Sequence, residues 1–252
     1  MRFWAVCVMV FLAACDVGAG SPLAVAPVAA PPSGLRTKVV LVAAEDGIKA
    51  FDNATQRFAK DLIAKGGIQA ADIQRFSAAD RAGTQRTRID GVLRGIGTLD
   101  AAPGQACLVF ITGHGAKGLG VVFPREDDFM DPKQLDRALR LGCGAQPTVL
   151  IVSACYSGIF ASRPLARDNR IILTAAHRDR PSFGCGSGDD FTFFDGCFLT
   201  AYEDPAARTW QAVAAAAIAC VAAKENADDY DPSKPQFSVG TTVAGLHLPG
   251  VP

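Results

Sequence analysis

The sequence predicts an α/β fold with a mostly parallel six-stranded sheet that carries helices on both faces. Short runs rich in β-branched residues alternate with stretches in which apolar residues recur at helical spacing. This alternation is typical of parallel strands joined by helical crossovers. The two clearest runs, residues 108–111 (LVFI) and 149–152 (VLIV), are apolar at every position. We therefore expect both of them to be central strands, buried on both faces.

The remaining elements follow in chain order. The predicted strands cover residues 38–44, 73–76, 108–111, 149–152, 170–175 and 237–240. A first helix is predicted after a cap at Asp52 or Asn53, and Gly66-Gly67 ends it. A second helix is expected over residues 84–99 and a third from Asp131-Pro132 to Gly142, since Asp followed by Pro is a common helix start. The apolar stripe from Trp210 to Val221 predicts the last helix.

The N-terminus predicts export and attachment to a membrane by lipid. Met1-Arg2 precedes an apolar stretch over residues 3–14, the pattern of a secretory signal peptide. The string Leu12-Ala13-Ala14-Cys15 resembles a bacterial lipobox, which implies lipid attachment at Cys15. Residues 15–34, rich in Ala and with four prolines, predict an extended tether, and residues 35–252 predict one folded domain. Asp16, directly after the cysteine, resembles the signal that retains some bacterial lipoproteins at the inner membrane, so we expect the domain on the periplasmic side of that membrane.

Composition narrows the choice of partners and cofactors. Lys plus Arg and Asp plus Glu both number 25, so we expect no nucleic-acid partner. The chain has three histidines and no closely spaced cysteine pair, so we expect no metal and no cofactor. Cys185 and Cys197 flank a loop rich in Gly and Asp, and they are the predicted disulfide of the exported domain. Cys107 and Cys220 are expected to be buried thiols.

Two short strings follow the two central strands and predict the chemistry. Gly113-His114-Gly115 follows the first of them, and Ser153-Ala154-Cys155 follows the second. Since α/β proteins place ligands at the carboxyl ends of parallel strands, the imidazole and the thiol should share one edge of the sheet. A thiol needs a nearby base to become a nucleophile at neutral pH. We therefore predict Cys155 as nucleophile, His114 as acid/base, and the N–H groups of Gly115 and Cys155 as an oxyanion hole.

The same strings resemble the caspase-like cysteine peptidases, and among them the legumain family, peptidase C13. The resemblance rests on Gly113-His114-Gly115 and on residues 153–158 (SACYSG), and it extends to residues 50–54 and 182–185. It implies a caspase-like three-layer α/β/α sandwich and a catalytic dyad of His114 and Cys155. It also implies that the Gly115 N–H belongs to the oxyanion hole.

The resemblance places three further residues at the substrate-binding pocket. Asp52 takes the place of a legumain arginine, Ser153 replaces a glutamate, and Asp195 resembles a pocket aspartate. Two carboxylates near the pocket predict a preference for a basic residue before the scissile bond. The alternative for both is structural, with Asp52 capping a helix and Asp195 solvated.

The leading prediction is a lipid-anchored cysteine endopeptidase that cleaves proteins or peptides of the bacterial envelope through an acyl-enzyme. A transpeptidase or transamidase is an alternative, because an amine can intercept the same acyl-enzyme, and the family resembles the catalytic subunit of the GPI transamidase. A non-catalytic caspase-like scaffold is the third candidate, and the presence of both His114 and Cys155 argues against it.

Overall fold

The computed structural model describes Met1 and residues 34–251. The predicted signal peptide, the lipid-attachment residue Cys15 and nearly all of the tether lie outside these residues. Of the helices that are described, none is long and apolar enough to cross a membrane.

The centre of the molecule is one sheet of seven strands, one more than the six predicted. Its order is β10-β9-β8-β4-β1-β2-β3, and every neighbouring pair is parallel except β10 with β9. A second sheet, of three antiparallel strands, has the order β5-β6-β7. The strands are β1 Arg36–Ala43, β2 Ile73–Ser77, β3 Gln85–Arg86, β4 Gln105–Thr112, β5 Gly115–Ala116, β6 Gly120–Phe123, β7 Asp128–Met130, β8 Thr148–Ser153, β9 Arg170–Thr174 and β10 Gln236–Val239.

The added strand, β3, lies where the sequence predicted the start of the second helix. Both of its residues are exposed, so no apolar side chain marks it as a strand. It is an edge strand of two residues, and such short edges leave few unpaired backbone groups for other chains. The helix itself begins only at Ile89.

In the described part of the chain, five α-helices cover the two faces of the large sheet. They are α1 Lys49–Ala64, α2 Ile89–Gly97, α3 Pro132–Gly142, α4 Phe193–Glu203 and α5 Trp210–Ala227. Alternate residues of β1 point into two separate hydrophobic cores, one on each face of the sheet. Val39 and Leu41 pack with α1, α4 and α5, whereas Val40 and Val42 pack with α2 and α3. This is the predicted arrangement of a sheet between two helical layers.

Two helix starts show how local sequence decides element boundaries. The predicted start of α3 is confirmed, since the Asp131 carboxylate accepts from the Lys133 and Gln134 N–H groups and the Gln134 side chain reaches back to the Asp131 N–H. Helix α4 was not predicted, because its residues are apolar on nearly every side and give no helical stripe.

The predicted disulfide between Cys185 and Cys197 is wrong. Cys197 bonds Cys220 and thereby joins α4 to α5, while Cys107 bonds Cys143 and joins β4 to the end of α3. The expectation that Cys107 and Cys220 are thiols is wrong for the same reason. Pairing depends on which helices pack together, and the unpredicted helix α4 carries Cys197 toward α5 and away from Cys185.

Candidate active site

The two chemical strings meet at one edge of the sheet because their strands are neighbours in register. Strands β4 and β8 are parallel, and Thr112, the last residue of β4, pairs with Ser153, the last of β8. His114 and Cys155 each follow two residues later. The predicted delivery of an imidazole and a thiol to the same edge is therefore what the register produces.

Gly115 brings the backbones of the two strings into direct contact. A Cβ atom added at Gly115 would lie 1.9 Å from the carbonyl oxygen of Cys155 and 3.0 Å from its nitrogen. Gly113 is similarly restricted, because a Cβ there would lie 2.7 Å from Cβ of Ala44. Both positions around His114 therefore admit only glycine without a shift of backbone or strand.

The Cys155 thiol is free and partly accessible to solvent. Its nearest polar partner is Ser182: the Ser182 N–H donates to Sγ at 3.3 Å, and the Ser182 carbonyl lies 3.5 Å from Sγ. An N–H donor on sulfur stabilises negative charge there. The thiol is neither sealed in the core nor held in a disulfide, so it can meet a substrate.

The chain turns sharply immediately after Cys155. Tyr156 has φ of 58°, in the left-handed region that residues other than glycine rarely occupy. Its N–H donates to the Arg180 carbonyl at 2.8 Å, and a 3-10 turn, Ser157–Ala161, follows. Such backbone strain is found most often at functional sites, where the surrounding contacts hold it in place. Here the turn keeps the thiol at the end of β8 rather than on a helix.

The His114 imidazole is held between a carboxylate and an aromatic ring. Oε1 of Glu45 lies 3.4 Å from Nε2 of His114, and the Glu45 side chain is only 11% exposed. The Phe51 ring meets the imidazole edge-on, with centroids 5.5 Å apart. The imidazole remains 41% exposed. These contacts orient the ring and leave one side of it open.

Asp195, predicted to line the substrate-binding pocket, lies beneath the site and is fully buried. The Thr112 hydroxyl donates to its Oδ2 at 2.8 Å, and its own N–H donates to the Thr192 hydroxyl at the start of α4. Burial raises the pKa of Asp195 to about 6, although hydrogen bonds from Ser153 and Thr112 oppose the shift. Ser153 is itself 2% exposed. Both residues support the strand ends from below and have no surface to offer a substrate.

Asp52 is also enclosed, and its partners belong to the fold. Oδ2 accepts from Arg81 at 2.8 Å and Oδ1 accepts from the Ser77 hydroxyl at 2.8 Å. Arg75 lies 3.9 Å away. The carboxylate therefore ties α1 to the end of β2, and it neither caps the helix nor faces an open pocket. With Asp52 neutralised and Asp195 buried, the predicted preference for a basic substrate residue loses its basis.

Three residues that shape the site were not singled out from sequence. Glu45 follows β1, the neighbour of β4, so its position at the same sheet edge was open to prediction from strand order. Ser182 and Tyr156 lie in segments that carry the family resemblance, but their contacts were not open to prediction, because they depend on how the loop after β9 folds back. Within the described part of the chain, no cluster of three or more His, Cys, Asp or Glu side chains is placed to hold a metal ion.

Comparison with solved structures identifies the fold as caspase-like. Caspase-1 from Spodoptera frugiperda superposes with a TM-score of 0.54 at 14% identity, covering 82% of this chain and 87% of that chain. The structure of pro-sf-caspase-1 superposes with a TM-score of 0.60 at 11% identity, covering 81% and 91%. The predicted fold class is confirmed, apart from the strand count.

The family resemblance is confirmed over the middle of the chain. Residues 94–216 match the Peptidase C13 family. This segment runs from α2 into α5 and includes both His114 and Cys155. This match supports a cysteine peptidase, which is a hydrolase, and the caspase-like fold agrees with it. No protein of the curated set matches the sequence.

Proposed function

We propose that this protein is a cysteine endopeptidase in which Cys155 attacks the scissile carbonyl and His114 transfers the proton. The observation that carries the proposal is the contact of the Gly115 and Cys155 backbones at the carboxyl ends of β4 and β8. This contact brings an accessible free thiol and an oriented imidazole to one sheet edge. The match to the Peptidase C13 family over residues 94–216 supports the same reaction.

The contacts of His114 indicate which ring nitrogen accepts the proton from the Cys155 thiol. Since Nε2 faces the Glu45 carboxylate at 3.4 Å, we assign the ring proton of neutral His114 to Nε2. Nδ1 then takes the proton from the Cys155 thiol and later passes it to the leaving amine. Water attacks the resulting thioester, and hydrolysis of that bond regenerates the thiol.

The proposed oxyanion hole follows from the register of the small sheet. The Val122 N–H donates to the His114 carbonyl at 2.9 Å, so His114 and Val122 form a hydrogen-bonded pair of the antiparallel ladder between β5 and β6. Gly115, paired with Val121, is therefore in a non-hydrogen-bonded position, and its N–H points away from β6. That N–H and the Cys155 N–H are the proposed donors to the developing oxyanion, each worth roughly 10²–10³ in rate.

The proposed location is the bacterial envelope, with the domain on the periplasmic side of a membrane. It rests on the apolar N-terminal stretch and on Leu12-Ala13-Ala14-Cys15, with Cys15 as the lipid-attachment residue. The proposed substrates are proteins or peptides of that compartment. Metabolic labelling with a fatty acid tests the anchor: labelling should be lost in Cys15→Ala, and persistence of label in that variant would exclude it.

The reaction is tested with a peptide library cleaved by the wild type, His114→Ala and Cys155→Ala. Cleavage by the wild type alone, with internal bonds cut, is the expected result. Cys185→Ala is the matched control, because it removes the other free thiol of the described residues. Equal cleavage by Cys155→Ala and the wild type would refute the assignment of the nucleophile.

The transfer reaction and the scaffold are separated from hydrolysis by two added measurements. Adding a small amine nucleophile and analysing the products distinguishes transpeptidation, in which the amine replaces water in most turnovers. A peptide electrophile that labels thiols should modify Cys155 in the wild type and in Cys185→Ala, and this labelling should be lost in Cys155→Ala. Absence of both cleavage and labelling would leave the scaffold as the interpretation.

A further inference from the structure

A groove with basic walls lies between segments that follow His114 and Cys155 in the chain. It has a volume of about 470 Å³ and is formed by the turn after β5, the start of α3 and the segment after Cys155. We call it the basic groove and define it by Lys117, Leu119, Lys133, Ile159, Arg163 and Arg178. Neither the family match nor the proposed reaction assigns it a role.

The groove carries more positive than negative charge, although the whole chain is neutral. Lys117, Lys133, Arg163 and Arg178 line it, and all four are exposed. Among residues 34–251, the acidic side chains that line it are Asp131 and Asp179, and both have hydrogen-bond or ion-pair partners.

Asp131 accepts the N–H groups that begin α3, and Asp179 lies 3.4 Å from Lys117 and 3.8 Å from Nδ1 of His177. Within residues 34–251, Lys133, Arg163 and Arg178 have no carboxylate within ion-pair distance.

Two walls of the groove are formed by residues close in sequence or space to the segments that carry His114 and Cys155. Lys117 stands two residues after Gly115, which touches the Cys155 backbone. On the other wall, a Cβ added at Gly158 would lie 2.4 Å from the Arg178 nitrogen, so the turn after Cys155 packs against the Arg178 backbone. Lys117 and Arg178 therefore connect the groove to the two segments that carry His114 and Cys155, and a peptide chain running along this side would pass Arg178.

We propose that the basic groove binds acidic side chains of the substrate, on one side of the scissile bond. The inference rests on the proposed peptidase function and adds a substrate class to it. Carboxylates would replace the solvent around Arg163 and Arg178, and the exposed Leu119 would contact the aliphatic parts of the peptide. Guanidinium groups suit this role because they bind carboxylates with two parallel hydrogen bonds. The preferred substrate is thus a peptide with Asp or Glu near the cleavage site.

The test compares matched peptides that carry Glu or Gln at each position flanking a bond that the wild type cleaves. We expect Glu on one side to raise kcat/KM, and Arg163→Gln with Arg178→Gln to lower this advantage by about 5- to 10-fold, as for two partly exposed ion pairs. Cleavage of the Gln peptide should be unchanged. The advantage should also shrink as salt is added. Arg94→Gln is the charge-matched control, since Arg94 pairs with Asp90 on α2 and does not line the groove.

A binding measurement keeps this proposal separate from the peptidase proposal. Anisotropy of a labelled Glu-rich peptide is measured on Cys155→Ala and on the same variant with both arginines replaced. Weaker binding after replacement supports the groove even if no peptide is cleaved. Equal binding, or equal Glu preference in cleavage, overturns it. Loss of binding to vesicles of anionic lipid, with no change toward the Glu peptide, also overturns it and assigns the cations to the membrane.

Discussion

Substitution of Gly115 by alanine tests the contact on which the proposed site depends. The added Cβ would lie 1.9 Å from the Cys155 carbonyl oxygen. Since normal contact begins at about 3.4 Å, one of the two strings must move by about 1.5 Å. A displacement of about 1 Å at a catalytic group can cost on the order of 10²-fold in rate. We expect kcat/KM to fall by at least that factor.

The assay measures kcat/KM on a fluorogenic peptide taken from the library, together with the rate at which iodoacetamide alkylates Cys155. Both should fall in Gly115→Ala, because the thiol and the imidazole no longer hold their relative positions. Thermal unfolding of the same variant shows whether the domain is still folded.

Gly91→Ala is the matched control. Gly91 lies within α2, and a Cβ added there would have its nearest neighbour at 3.9 Å. Alanine is favoured over glycine in a helix by about 1 kcal/mol, so this variant should be at least as stable as the wild type and fully active. A folded Gly115→Ala protein with kcat/KM within threefold of the wild type would refute the reasoning.

Three other perturbations have definite expected outcomes. Glu45→Ala should lower kcat on the order of 10-fold with little change in KM, because the His114 ring loses its orienting carboxylate. Replacing both Cys107 and Cys143 by alanine should lower the free energy of unfolding by about 3 to 4 kcal/mol, as measured in denaturant. Asp195 has a pKa of about 6 in the fold against an ordinary 3.8, so the folded state binds the extra proton between these values. The contribution of Asp195 to the free energy of unfolding should therefore fall by about 3 kcal/mol as pH rises from 4 to above 6, and Asp195→Asn should remove that contribution from the pH dependence.

Each of these outcomes has a control and a contrary result. Glu45→Gln keeps an acceptor for the His114 N–H and should recover part of the rate, whereas equal loss in both variants would show a merely structural role. Cys185→Ala removes a free thiol and should leave stability in oxidising buffer nearly unchanged. An unfolding free energy of Asp195→Asn that falls with pH as steeply as that of the wild type would show that other groups cause the dependence.

The helices and strands near the site show which structural elements can be predicted from local sequence. Apolar runs of strand length predict β4 and β8. The small and polar residues directly after them predict that the reactive side chains lie at the carboxyl ends of these two strands. The helix-capping pattern at Asp131 predicts the start of α3 just as clearly. By contrast, α4 is apolar on nearly every side, so periodicity gives no signal for it, and its Cys197 was paired with the wrong partner.

The sequence by itself determined that a thiol and an imidazole follow two buried strands of an α/β sheet, because strand length, apolarity and strand ends are local properties. Only the tertiary structure decided what each polar side chain meets. It buried Asp195 under the strand ends, paired Asp52 with Arg81, and brought Glu45 to His114. The physical reason is that the burial and the ion pairing of a side chain depend on residues brought together from distant parts of the chain. The spacing of residues along the sequence does not determine those contacts.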